Sequence, residues 1–334
     1  MRRAAFEQAF IEVLVRVSGN SEVVAELDIK SASKYVQQYR YLPVPEDEKS
    51  AVPVMLAMSQ PKHLLWVQFN QGLIQKLLRE NALPVWGQQR PSLLVWMAVR
   101  DGRNRYVLRD RDQSAIKDAV EKEAKRRGIP LVWPKYDAED RNNVLFADLW
   151  GSFWEPISSA SERYSVDAIL LGRMNWIKGN WQVDWSMELS SNSQSWQLRG
   201  KNLQLLMASG IDRATNNISR RFSVLENSDN AGQLIVQVNG IDNIRGYARA
   251  SRYLSSLAPV KNVFATQVEG NSVRFNIDMT GDQDDLQRLI ALGKTLVPDT
   301  TVKPVEIVTP SNDAASIENI LTLPVENILT YRFN

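Results

Sequence analysis

Cysteine is absent from this sequence, which excludes disulfides, thiol catalysis and thiolate metal sites together. Histidine is almost absent: His63 stands alone, so neither a histidine zinc cluster nor two-histidine catalysis can be assembled. Long apolar runs are missing too. The longest, Val52 to Met58 and Leu93 to Val99, reach about a third of the roughly 20 residues a membrane helix needs. Nor is there an excess of one charge. Forty basic residues against 38 acidic leave +2, so no overall field draws nucleic acid or anionic lipid, and electrostatic binding requires a local patch.

The motif inventory is also thin. No Gly-x-Ser-x-Gly elbow, GxGxxG or GxxxxGK[ST] loop occurs, and Gly293-Lys294-Thr295 has Arg288 where a phosphate loop needs glycine. Ser31-Ala32-Ser33-Lys34 and Ser228-Asp229-Asn230 match two of three penicillin-binding signatures, but Lys-Thr-Gly is missing and both are read as coincidence. Arg245-Gly246-Tyr247-Ala248 opens like an RNA-binding signature yet carries helical periodicity. Asp282, Asp284 and Asp285 stand where a helix cap belongs. His63 reads as a strand-edge residue. The expectation is no catalytic residue, no metal ligand set and no cofactor, hence not an enzyme.

What is present is an ordinary globular composition, 44% apolar and 23% charged, over 334 residues, enough for two or three domains. Phe6, Phe10, Val13, Leu14 and Val17 mark one helix face from the first residues, as expected of a chain whose leader, and with it a first strand, has been trimmed. A second helix is predicted over Glu22 to Gln38. A stretch punctuated by Pro43, Pro45, Pro53 and Pro61 reads as a loop or edge strand on the core, or as a mobile apolar lid. A short buried strand, His63 to Phe69, and a helix, Gln71 to Asn81, follow.

From Leu93 the pattern is regular. Strands over Leu93 to Val99, Ile129 to Trp133 and Val166 to Gly172 alternate with a helix over Gln113 to Arg127 and one over Leu145 to Tyr164. The latter is drawn from Leu149, Phe153, Ile157 and Ala160, and Pro156 should kink or split it. This order implies βαβ units. Trp181, Val183, Trp185, Met187 and Leu189 then alternate with polar residues, a hairpin with one buried face, and a helix through Phe222 closes the unit. Beyond the polar linker Glu226 to Gly232 lies a βαββα pattern.

The predicted fold class is α/β (α+β) in three small modules. They are an N-terminal α+β domain over 1–90, a mixed α/β domain over 91–226 with βαβ units and an antiparallel hairpin, and a βαββα domain over 233–309. A tail, 310–334, repeats Ile317-Glu318-Asn319-Ile320-Leu321-Thr322 as Val325-Glu326-Asn327-Ile328-Leu329-Thr330.

Two positive features remain. Arg100, Arg103, Arg105 and Arg109 crowd the carboxyl end of a parallel strand, where open α/β sheets bind ligands. They form either an internally neutralised loop or a patch for an anion or partner. Of ten tryptophans, Trp181 and Trp185 read as core, and Trp176, near a turn, as the exposed one. In the tail, Ile317, Ile320, Val325 and Ile328 are candidate anchors for a partner groove or an added strand.

The segments Arg3 to Gly19, Leu83 to Val99 and Val166 to Gly172 resemble an uncharacterised gammaproteobacterial family, domain of unknown function 2066, whose members look like exported periplasmic proteins. The family carries no established activity. The element order over 92–225 is also similar to the amino-terminal domain of the Tol-system translocation protein, whose relatives dock to other proteins; that likeness is of fold alone. The resulting expectation is a periplasmic, non-catalytic assembly module with protein partners in the cell envelope, no nucleic acid and no transmembrane segment. The alternatives are a carbohydrate- or peptidoglycan-binding module using Trp176 and the arginine loop, and, less favoured, a carboxylate-dependent hydrolase.

Overall fold

The computed structural model describes residues 2–43, 63–189, 192–223, 231–293, 295–299 and 328–334. The Pro-flanked segment Val52 to Met58, the Ser228-Asp229-Asn230 fragment, and tail residues Ile317, Ile320 and Val325 lie outside them. Two compact units emerge, 1–86 with 90–223 and 87–89 with 224–334, so the first two expected domains fall within one unit. Mixed sheets with helices make this an α/β protein in several modules.

The first unit begins with α1 (Arg2–Ser18), which buries Phe6, Phe10 and Leu14 as its spacing requires. Glu22 to Gln38 is not the expected helix. Two 3-10 turns, Ser21–Glu26 and Ile29–Tyr35, lead into β1 (Val36–Pro43). The side chains of Asn20 and Asp28 accept backbone N–H groups two residues on, and such local bonds compete with an α-helical ladder. Strand β1 pairs antiparallel with β2 (His63–Phe69), and α2 (Gln71–Glu80) follows. β2 is half-exposed rather than buried, because this sheet has two strands and its core contacts come through Leu65, Val67 and Phe69. His63 is exposed at the strand's first residue, as expected of an edge histidine.

The main sheet has the order β4-β3-β6-β7-β8, with β5 also on β3. Here β3 is Leu93–Asp101, β4 Asn104–Val107, β5 Leu131–Val132, β6 Ala168–Ile177, β7 Asn180–Leu189 and β8 Asn192–Gly200. β3 runs parallel to β5 and β6, while β6, β7 and β8 form an antiparallel meander. Leu93 through Val99 are all buried because both sheet faces are covered. On one face lie α3 (Ala115–Arg127) and α7 (Leu203–Phe222); Gly210 of α7 leaves room for the Trp185 indole against the helix backbone. On the other, Leu94, Trp96 and Ala98 meet α4 (Ala138–Asn143), α5 (Phe146–Gly151) and α6 (Trp154–Ser161).

Residues 145–164 are therefore not one helix but α5, α6 and a 3-10 turn, Glu162–Tyr164. Ser152 at φ 55° ends α5, and Pro156 falls in the first turn of α6, where its missing N–H is harmless.

One buried side chain ties this unit together. Arg127, 0% exposed, donates to Asp212 Oδ1 at 2.6 Å, Asn216 Oδ1 at 2.6 Å and Gly19 O at 2.5 Å. It thus fastens the ends of α1 and α3 to the middle of α7.

In the second unit, β9 (Ala231–Asn239), α8 (Ile244–Ser255), β10 (Val260–Glu269), β11 (Ser272–Thr280) and α9 (Gln283–Leu292) reproduce the βαββα pattern. Asp282 caps α9 through the Asp285 N–H, as expected. The sheet, however, is completed by β12 (Leu296–Pro298) and β13 (Ile328–Phe333), in the order β10-β11-β9-β13-β12. The 233–309 boundary is therefore too short. Tyr331 of β13 is buried in the same core as Val236, Phe275 and Ile290.

Candidate functional site

The carboxyl edge of β3 carries the predicted arginines, and the structure disperses them. β3 turns back through Gly102 into β4, pairing Arg100 with Arg105, while Arg103 and Arg105 point to solvent on this hairpin. Arg100 lies over the Trp150 ring at 4.2 Å, a cation–π arrangement. Arg109 is held by Asp112 at 2.9 Å. Burial alone would raise the Asp112 carboxyl; the Arg109 guanidinium and N–H outweigh it and hold it below its usual range. Arg109 is thus neutralised within its own loop, and the four do not converge on one ligand.

Trp176 is 42% exposed, as the turn suggested, and meets Trp181 edge-on at 4.8 Å. Arg100 pairs with Asn175, so by strand alternation Trp176 stands on the opposite sheet face from Arg100. Ile328 pairs with Ile235 inside the chain's own sheet, so an added-strand role for residues 328–333 is already filled within the chain.

Two residues of the same edge escaped the sequence reading. Leu145 and Phe153 are the N-cap residues of α5 and α6 and are 58% and 59% exposed. Helical spacing places Phe153 on the buried face of a continuous helix; the break at Ser152 turns it outward. N-caps favour Ser, Thr, Asp or Asn, whose side chains accept an N–H, and neither residue can do so. Between them Phe146 stacks on Trp150 at 5.6 Å, and Arg173 donates to Trp150 O at 2.9 Å. The signal available in the sequence was the pairing of apolar residues with helix starts.

A clasp forms on Asp140, which is buried, and its two tyrosines meet the Trp96 ring edge-on. Asp140 accepts the Tyr164 hydroxyl at 2.5 Å, the Tyr136 N–H at 2.7 Å and an Arg163 N–H at 3.0 Å. Burial and this carboxylate push the Tyr164 hydroxyl well above its usual range. Tyr136 is held at φ 45°, a conformation non-glycine residues adopt at a cost of about 1–3 kcal/mol. Among the described residues, no group of three His, Asp or Glu side chains could hold a metal ion, and no helix is long and apolar enough to cross a membrane.

Two family models match the chain. Residues 231–317 match the family described as DUF2066. Residues 1–87 match another, "Domain of unknown function (DUF8605)". The DUF2066 likeness therefore rests on the second unit's sequence, whereas the segments that suggested it, 3–19, 83–99 and 166–172, lie outside that match. No curated protein matches the chain. Among solved structures, the Thermus thermophilus Protein Y N-terminal domain is 11% identical, over 39% of this chain and 93% of its own, with a TM-score of 0.19. A ribosomal subunit interface protein from Coxiella burnetii is 11% identical, over 38% and 94%, with a TM-score of 0.21. At those scores neither bears on fold or role.

Proposed function

We propose that this chain is a non-catalytic docking module that works by surface contact, in a periplasmic envelope assembly. The observation that carries the reading is the pair of exposed apolar N-caps, Leu145 and Phe153. Each position gives up about 1 kcal/mol that a polar cap would supply. A surface that forgoes stability to present apolar side chains is fitted to a partner's apolar anchor. The envelope setting draws on the missing cysteines and the exported look of the DUF2066 family.

Stability and docking should separate under one change. Leu145→Ser with Phe153→Ser is expected to raise the urea midpoint while removing crosslinked partners from co-purification in the native envelope. An unchanged partner set in a protein stabilised by both caps would end this reading.

The exposure of Trp176 supports a second reading, a glycan-binding surface. Trp176→Ala should then abolish retention on peptidoglycan; equal retention of both proteins would exclude it.

A further inference from the structure

β6 pairs along one edge of β3 from Leu93 to Arg100, so β5 and β4 share the other edge, β5 at its start and β4 at its end. Where the chain leaves these two strands, a crevice of about 430 Å³ opens, lined by Asp110, Arg111, Lys135, Asp137, Ala138 and Arg141. Five of those six are charged. In composition it differs from the apolar N-cap surface.

The crevice is built in advance of any ligand. The Asp110 N–H donates to Pro134 O at 2.9 Å, fastening the two loops together, and the Lys117 ammonium donates to Asp110 O from below. The Lys135 N–H donates to the Tyr164 hydroxyl at 2.8 Å, and the strained Tyr136 is gripped from both sides. Asp140 takes its N–H and Arg141 Nη1 donates to its carbonyl at 3.1 Å. Lys135 and Arg141 therefore flank a backbone bend fixed by a buried carboxylate.

Charge counting identifies the missing component. Asp137 pairs with Arg163 at 2.8 Å, and that hydrogen bond holds its carboxyl down at about 2, but Arg163 also serves Asp140 at 3.0 Å and Glu139 at 3.2 Å, so Asp137 still counts as a negative charge of the crevice. The side chains of Arg111 and Lys135 make no hydrogen bond or ion pair among the described residues, and Arg141 uses one N–H on Tyr136. Three cations thus face two carboxylates, Asp110 and Asp137, leaving one positive charge in excess. Guanidinium groups match tetrahedral oxyanions with paired N–H donors, and an ammonium adds a point charge.

We infer that the crevice binds a phosphate dianion, either free or as the terminal monoester of a lipid headgroup, through Arg111, Lys135 and Arg141.

Titration of the full chain with inorganic phosphate, followed by calorimetry and by amide NMR shifts of residues 110–111 and 135–141, tests this. Saturable binding is expected at pH 7.5, weakening at pH 5.5, where protonation leaves phosphate a monoanion; sulfate, a dianion at both, should not weaken. Arg111→Gln with Lys135→Gln should lower affinity roughly tenfold or more. Asp110→Asn should raise it, a gain that misfolding cannot imitate. Vesicles containing phosphatidate, run beside free phosphate, distinguish the two sources, and binding to either supports the site. No saturable binding to either, or the same affinity in both variants as in the parent, overturns it.

Discussion

Gly210 shows how much one hydrogen atom decides. In an exposed helix interior, Gly→Ala stabilises by roughly 1 kcal/mol. Here an added methyl would meet the fully buried Trp185 indole, which has no vacant space to enter. Gly210→Ala is therefore expected to destabilise by about 1–3 kcal/mol in urea unfolding, against the propensity gain. A stabilised variant would mean that α7 does not pack on Trp185. The core position of Trp185 was legible from its alternation with Val183 and Met187. The exposure of Phe153 was not, since helical spacing assigns a face only while the helix continues, and Ser152 interrupts it.

At the scale of elements, the carboxyl-terminal strand is the instructive case. The duplicated Glu-Asn-Ile-Leu-Thr suggested a binding tail, but its second copy runs into β13, parallel to β9 and antiparallel to β12. Periodicity describes a segment by itself, and parallel pairing with a strand far back in the sequence leaves no local trace. Truncating a tail to test for partners would therefore also strip a sheet. Tyr331→Ala, which empties a buried position while keeping the chain length, is expected to lower stability by about 3 kcal/mol. Removal of 328–334 should lower it further and deprotect β9 in hydrogen exchange. Unchanged protection of β9 in both variants would contradict the strand's place in the sheet. By contrast, β9 through α9 were readable in advance, because each carries its own period of two or of 3.6 residues.

For the molecule as a whole, Arg127 is the decisive group. It is one of four basic residues in a row of six at the end of α3 (Lys122, Lys125, Arg126, Arg127), and nothing in that run distinguishes it. The fold buries it alone among them and surrounds it with Asp212, Asn216 and the Gly19 carbonyl. Arg127→Ala should cost about 3 kcal/mol, the low end for breaking a buried pair, since Asp212 keeps Arg126 and Ser21 as partners. Hydrogen exchange should rise in α1 and α7 together. Faster exchange in one of them alone would argue against a shared strut.

The amino-acid order by itself settled what is absent, since thiol and histidine-cluster chemistry need side chains the chain does not have. It also settled most elements, through periods of two and of 3.6, and hence an α/β architecture. Tertiary structure alone decided which like-charged residues are buried, neutralised or left facing a crevice. Spacing along a chain is blind to contacts across it: Arg109 meets its own Asp112, Arg100 meets a tryptophan fifty residues on, and Arg111 faces Lys135 and Arg141 across two loops. Exposure and charge balance are properties of that three-dimensional neighbourhood, and the candidate surfaces exist only there.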